Sequence, residues 1–224
     1  MMLLVVGFGI QVLWHAKQPA PAANAQALSS PPAEFALQVA SLGEPIALSK
    51  SLMLWLQAFD NQPGVSIPFR ELDYSRVVAW LEVILELDSR GQYPLLAASR
   101  LYSEVPDQGR QRQMLEFVYK QFFLDPERRW PWLAHAAIVA KHRLQDLPLA
   151  LKFSKTIADK SISKNVPSWV RQMPVLILQE MGELESARIL IGGLLESGRI
   201  TDTHELRFLN QKLETLNQRK TGPN

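Results

Sequence analysis

The hexapeptides QDLPLA at positions 145–150 and GELESA at positions 182–187 lie 37 residues apart, and each ends in a small alanine. Each introduces an apolar segment with helical periodicity. The same spacing recurs, within one residue, between further pairs: Asp88 and Asp125, Tyr93-Pro94 and Trp130-Pro131, and Pro131 and Pro167. Several independent markers that share one period predict a repeated structural unit.

Each unit is predicted to contain two helices joined by a short break. We expect the first helices at Pro94–Val105, Pro131–Leu144 and Pro167–Met181, where the proline suits the first helical position. We expect the second helices at Arg110–Leu124, Pro148–Lys160 and Glu183–Ser197. Short connections make neighbouring helices antiparallel, so the fold class is all-α and the units stack as hairpins in an α-solenoid or superhelical arc.

The hairpin motifs resemble those of tetratricopeptide (TPR) repeats. GELESA at 182–187 is similar to the turn that opens the second helix of such a repeat, and 145–150 repeats it with Gln145 in place of glycine. Leu124-Asp125-Pro126 resembles the Asp-Pro that ends a repeat. The resemblance covers residues 69–197, departs from the family in its period of 36–37 instead of 34, and implies a TPR-like arrangement that binds other proteins.

Further helices are predicted on both sides of the repeats. Glu44–Ala58 and Phe69–Asp88 carry apolar residues at helical spacing before the array. After it, Thr203–Gln218 carries leucines on one stripe and polar residues elsewhere, as expected of a terminal helix. We therefore expect an α-helical domain at residues 41–218 and a disordered tail at 219–224.

The stretch FDNQPGVSIPFRELDY at positions 59–74 resembles uncharacterised, membrane-anchored proteobacterial proteins that have a similar tether and helical domain. No function follows from that resemblance. It implies only a location at the bacterial membrane.

Residues 1–17 begin with the apolar run MMLLVVGFGIQVLW. One interpretation is a short membrane anchor, and a second is a signal peptide cleaved at Ala23-Asn24-Ala25, near Ala25. A buried core helix is a third. The run is short for a hydrocarbon core of about 30 Å, and no Lys or Arg precedes it.

A Pro/Ala-rich tether is predicted at residues 18–40, because QPAPAANAQALSSPPA at 18–33 holds four prolines and no charge. An apolar terminus followed by a tether and a folded domain favours a single N-terminal anchor in the inner membrane, with the helical domain in the periplasm. The alternative is a soluble periplasmic protein after signal cleavage.

Composition argues against several classes of chemistry. The chain has no cysteine, and its 24 basic and 22 acidic residues leave a net charge of only +2. These numbers indicate no thiolate chemistry and no nucleic-acid partner. His135 and His142 lie seven residues apart, about 10 Å along a helix, too far to share a metal ion. We therefore expect no metal, no cofactor and no enzymatic activity.

Basic residues between positions 100 and 143 form the candidate partner-binding set. Either they are a solvated surface, or they line a groove of first helices that takes the acidic tail of a protein partner. The set, with the tryptophan beside it, is Arg100, Arg128, Arg129, Trp130, Lys141, His142 and Arg143. Tyr93, Trp130, Trp132 and Trp169 recur at equivalent positions, which favours packing over recognition.

The sequence as a whole predicts a membrane-tethered scaffold or adaptor that binds proteins and has no catalytic activity. Two alternatives stay open: a structural subunit of a membrane complex, and a helical domain that binds a small ligand.

Overall fold

The computed structural model of the chain describes most of its residues: 2–18, 25–161, 163, 166–198, 200 and 202–221. It divides into two units, Met1–Leu87 and Asp88–Asn224. Within the described residues almost every element is a helix, apart from the antiparallel pair β1 (Asn61–Gln62) and β2 (Val65–Ser66). The expected all-α class is confirmed.

The N-terminal unit begins with α1 (Met2–Lys17), a helix whose apolar side chains from Val5 to Trp14 are exposed. Its 16 residues extend about 24 Å, whereas a hydrocarbon core is about 30 Å thick. Among the helices of the described residues, none has both the length and the apolar character needed to cross a membrane. The membrane-spanning helix expected at residues 1–17 is therefore not found.

The tether expected at residues 18–40 is packed and partly helical in its second half. Leu28 is buried, and the indole Nε1 of Trp80 donates a hydrogen bond to the carbonyl of Ser29 at 2.8 Å. A further bond runs from Arg76 to the Leu28 carbonyl, and residues 34–40 form α2 (Glu34–Ala40). Apolar burial and paired carbonyls outweigh the ordering entropy here. Two residues of the predicted cleavage site, 23 and 24, lie outside the described residues.

Two longer helices complete this unit, α3 (Pro45–Ala58) and α4 (Tyr74–Leu87). They pack together, and the Ser49 hydroxyl donates to the Ile84 carbonyl at 2.8 Å. The helix expected at Phe69–Asp88 is broken: Phe69–Glu71 forms a 3-10 turn and the chain then extends. The Asp73 carboxylate accepts from the Ser75 N–H at 3.0 Å, which caps α4 at its observed start.

The C-terminal unit contains the predicted helical hairpins. Its α-helices are α5 (Tyr93–Leu96), α6 (Gln108–Phe122), α7 (Pro126–His142), α8 (Leu147–Lys160), α9 (Ser168–Glu180), α10 (Leu184–Glu196) and α11 (Thr203–Thr221). From α6 to α11, helices adjacent in sequence pack against one another in order. Because only a few residues separate α7 from α8 and α9 from α10, each of these pairs is an antiparallel hairpin.

The two hairpin turns each contain a residue with positive φ, at equivalent positions 37 residues apart. Gly182 has a φ of 77° and Gln145 a φ of 52°, both in the left-handed region. After α9 the Glu183 N–H bonds the Leu178 carbonyl at 2.9 Å, a glycine-type helix ending. Ala150 and Ala187, one turn into the helices that follow, are fully buried, as close helix crossing requires. The sequence period therefore corresponds to a repeat of structure.

Two first helices depart from the predicted boundaries. Helix α7 starts at Pro126, not at Pro131, because Pro126 occupies the first helical position and the Arg129 N–H already bonds the Asp125 carbonyl at 2.9 Å. The helix expected at Pro94–Val105 is regular only in α5. It continues as a π-helical turn, Ala97–Leu101, and a 3-10 turn, Tyr102–Glu104, where the Ser103 hydroxyl bonds the Ser99 carbonyl at 2.6 Å.

Helix α11 closes the C-terminal core. Leu209 and Leu216 are buried against Val175 and Ile191, which confirms the apolar stripe expected on the last helix. The helix runs to Thr221, three residues further than expected and into the predicted tail at 219–224. Residues 222–224 of that tail lie outside the described residues.

Candidate functional site

Helices α7 and α9 lie side by side and run in the same direction. Near their N-terminal ends the rings of Trp130 and Trp169 meet edge-on, with centroids 5.7 Å apart. Near their C-terminal ends the Lys141 ammonium lies 2.5 Å from the Glu180 carboxylate. Trp130 and Lys141 are eleven residues, or three helical turns, apart on α7, and Trp169 and Glu180 are equally far apart on α9. The contacts therefore define an aligned, parallel pair of first helices.

The surface of this pair is apolar at one end and charged at the other. Leu176 lies four residues before Glu180, and Ile138 lies three residues before Lys141. Both side chains are therefore on the side of their helix that carries the tryptophan contact and the ion pair. Trp169 is 46% exposed, and Ile138 and Leu176 are each 43% exposed. We name this the α7–α9 face, and it consists of Trp130, Ile138, Lys141, Trp169, Leu176 and Glu180.

Ile138, Leu176 and Glu180 are not among the residues predicted from the sequence. The 37-residue spacing of Trp132 and Trp169 predicts packing for both indoles. The structure separates these two indoles: Trp132 is half-buried and donates from Nε1 to the Gln92 side-chain oxygen at 2.7 Å, whereas Trp169 is exposed. The spacing of Trp169, Leu176 and Glu180 at i, i+7 and i+11 places them on one side of α9. That spacing in the sequence is enough to predict that the three side chains share one side of the helix.

The cations predicted at the start of α7 have different environments. Arg128 is exposed and pairs with Asp125 in the preceding turn. Arg129 is buried; it donates to the Gln121 carbonyl at 2.7 Å and to the Ser89 carbonyl at 2.9 Å. Burial lowers the pKa of Arg129, partly offset by Asp125. The buried guanidinium of Arg129 therefore links α7 to the end of α6 and to Ser89. It is not accessible to a binding partner.

The cations at the end of α7 face two directions. Arg143 pairs with Glu104 on the preceding 3-10 turn, whereas Lys141 points to α9. Arg100 and His142 are exposed. The seven predicted residues therefore do not form one groove. Of these, Trp130 and Lys141 belong to the α7–α9 face.

His135 lies among charged groups between α7 and the preceding turns. Burial is the main cause that lowers its pKa, and the positive charges of Arg100 and Arg143 lower it further, against an opposing effect of Glu104. Its Nε2 is buried and finds no hydrogen-bond partner among the described residues. The neutral imidazole is therefore favoured in the folded chain.

A cavity of about 470 Å³ lies between α8, α9 and α10. Apolar side chains of α10, including Ile189 and Leu194, form one wall, and Lys155, Asp159 and Arg171 supply charged groups. The Nε of Arg171 is buried and finds no hydrogen-bond partner within the described part of the chain. This size and mixture of groups are typical of small-ligand sites.

No group of three or more histidine, aspartate or glutamate side chains in the described ranges is arranged to hold a metal ion. Comparison of the chain with family models, with curated proteins and with solved structures finds no match.

Proposed function

We propose that this chain is a membrane-associated scaffold that binds a protein partner on its α7–α9 face and has no catalytic activity. The observation that carries the proposal is the parallel pairing of α7 and α9, which places Trp169, Ile138 and Leu176 on the surface together. The TPR-like arrangement expected from the sequence is part of this proposal, and the repeated turns at Gln145 and Gly182 support it.

The composition of the α7–α9 face suits protein binding. Exposed clusters of large apolar side chains favour burial by a partner, and tryptophan is the residue most enriched among those that contribute strongly to binding. The Lys141–Glu180 pair at the other end can set the orientation of the partner through its charges. The face has no cationic excess, so the partner we propose is an amphipathic helix and not an acidic tail, which was one of the two interpretations of the basic residues.

Membrane association is assigned to α1 in this proposal. Seven large apolar side chains between Val5 and Trp14 are exposed in the chain, which favours transfer of the helix into lipid. Attachment to the inner membrane with the helical domain in the periplasm, or release by cleavage near Ala25, remains a prediction from the sequence.

The test compares capture of partners by full-length, detergent-solubilised variants. Trp169→Ala combined with Leu176→Ser removes the apolar end of the α7–α9 face, and we expect partner recovery to fall about tenfold or more. Leu54→Ser is the matched control, because Leu54 is also an exposed apolar residue but lies on α3, outside this face and outside the cavity. This variant should recover as much partner as the unaltered chain does.

Equal recovery by the double variant and the unaltered chain would contradict binding through this face. Loss of recovery in the Leu54→Ser control as well would show that general hydrophobicity causes the capture, which would also overturn the proposal. Circular dichroism of both variants establishes that the helices are retained.

Binding of a small amphiphile is a second candidate function, favoured by the cavity between α8, α9 and α10. A side chain at Gly193, which lines the cavity, would enter open space, and the same holds at Gly192, which does not line it. Decanoate should stabilise the folded chain against thermal unfolding in a saturable way. Loss of this effect in Gly193→Leu and its retention in Gly192→Leu would favour this function. Absence of stabilisation in the unaltered chain would exclude decanoate-like ligands.

A further inference from the structure

The corner between α2 and α3 carries four exposed apolar side chains within twelve residues. Phe35 and Val39 lie one turn apart on α2, opposite the buried Leu37. Leu42 stands at the corner and Ile46 in the first turn of α3. Exposure is 76% for Phe35 and 90% for Leu42. We name Phe35, Val39, Leu42 and Ile46 the corner patch.

Leu42 is unfavourable in water for two independent reasons. Its φ is 49°, in the left-handed region that asparagine or glycine adopts at lower cost, and its side chain is almost fully exposed. The turn itself is well formed, since the Leu42 N–H bonds the Val39 carbonyl at 3.2 Å and the Glu44 N–H bonds the Ser41 carbonyl at 2.8 Å. A polar residue would serve this turn better, so the leucine points to a contact outside the chain.

The number of residues between α1 and the packed part of the N-terminal unit limits the distance between that part and a membrane that holds α1. Gln26 exchanges hydrogen bonds with the side chain of Gln62, so a position fixed in this unit lies nine residues after Lys17, where α1 ends. Nine residues span at most about 32 Å when fully extended. A membrane that holds the end of α1 therefore lies within about 32 Å of Gln26.

We propose that the corner patch inserts into the surface of the lipid bilayer that receives α1. This inference rests on the membrane contact assigned to α1 under the proposed function. Highly exposed side chains that project from a corner fit a fluid solvent that closes around them, whereas a second folded chain needs a complementary surface. Charged residues around the patch, Glu34, Glu44 and Lys50, are mixed in sign, so insertion does not depend on anionic lipid.

The cysteine-free chain permits a direct test with single cysteines in the full-length protein. Three variants, Val12→Cys, Leu42→Cys and Leu124→Cys, are labelled with an environment-sensitive fluorophore and mixed with phosphatidylcholine vesicles. We expect the emission of the first two labels to increase and shift to the blue. Leu124 is the matched control, because it is also an exposed leucine in a turn between two helices, α6 and α7, and its label should not respond.

The outcomes separate the corner patch from the proposed function. A response at Val12 with none at Leu42 would overturn the insertion of the corner and leave the membrane contact of α1 standing. Silence at both positions would overturn both proposals. A response at Leu42 alone would support the corner patch and contradict the contact of α1. An equal response at Leu124 would overturn the inference by showing unspecific adsorption.

A second measurement separates a bilayer from a second copy of this chain. Phe35→Ser combined with Val39→Ser should weaken vesicle binding of the unlabelled full-length chain about tenfold, because it removes two inserted side chains. If the label at Leu42 instead responds to rising protein concentration without vesicles, the corner patch joins two copies and the inference is wrong.

Discussion

The guanidinium of Arg171 on α9 lies 3.1 Å from the carboxylate of Glu205 on α11, and this carboxylate side chain is only 1% exposed. This contact joins Arg171 Nη2 to Glu205 Oε2, whereas Glu205 Oε1 and Arg171 Nε are buried without a hydrogen-bond partner among the described residues. Further along the same helices Lys212 bonds the side chain of Gln179 at 3.3 Å. The two contacts show that α11 runs parallel to α9, as α9 does to α7.

Removal of one member of this buried pair should strongly destabilise the chain. We expect Arg171→Met to lower the free energy of unfolding by about 3 kcal/mol, because Glu205 would remain as a buried, unpaired charge. Replacement of both residues by methionine should cost less than either single change. Chemical denaturation measures each value. The exposed pair of Glu104 and Arg143 is the control, and Arg143→Met should cost about 1 kcal/mol or less.

The two hairpin turns should respond in opposite ways to glycine. Gln145→Gly should stabilise the chain by about 1 kcal/mol, because glycine adopts the left-handed conformation without steric cost. Gly182→Gln should destabilise it by a similar amount for the same reason. Thermal unfolding of both variants measures the changes. A stabilising effect of Gly182→Gln would contradict the structural equivalence of the two turns.

The stability of the chain should fall below about pH 6.5 because of His135. Its pKa in the folded chain is lowered, first by burial and then by Arg100 and Arg143, so the unfolded chain binds the proton more readily. This contribution is intact above the unfolded pKa and is lost as pH falls toward the folded pKa. Chemical denaturation between pH 7.5 and pH 5 should show that His135→Gln loses less free energy of unfolding than the unaltered chain. An equal loss of stability in His135→Gln and in the unaltered chain would contradict this assignment.

The packing of residues 25–33 should depend on the indole of Trp80. Trp80→Phe keeps the ring but removes the hydrogen bond to the Ser29 carbonyl. We expect elastase to cleave this segment of the native chain about fivefold faster, since a hydrogen bond contributes about 1 kcal/mol. Trp132→Phe removes an indole hydrogen bond of 2.7 Å in the other unit and should leave the cleavage rate unchanged.

The sequence by itself determined the helical class, the period and the site of the hairpin turns. These features depend on neighbours in the chain: the spacing of apolar residues, a turn residue at 145 and 182, and a small residue at 150 and 187. Local interactions of this kind repeat wherever the motif repeats. The early start of α7 was missed because two prolines, Pro126 and Pro131, both suit a first helical position.

Only the tertiary structure decided which side chains meet. Lys141 and Arg143 are two residues apart, yet one pairs with Glu180 and the other with Glu104, each 39 residues away. Arg128 is exposed while its neighbour Arg129 is buried. A charge in a sequence does not indicate its partner, because the pairing depends on which helices lie side by side and on how they are aligned. The α7–α9 face exists only through that alignment.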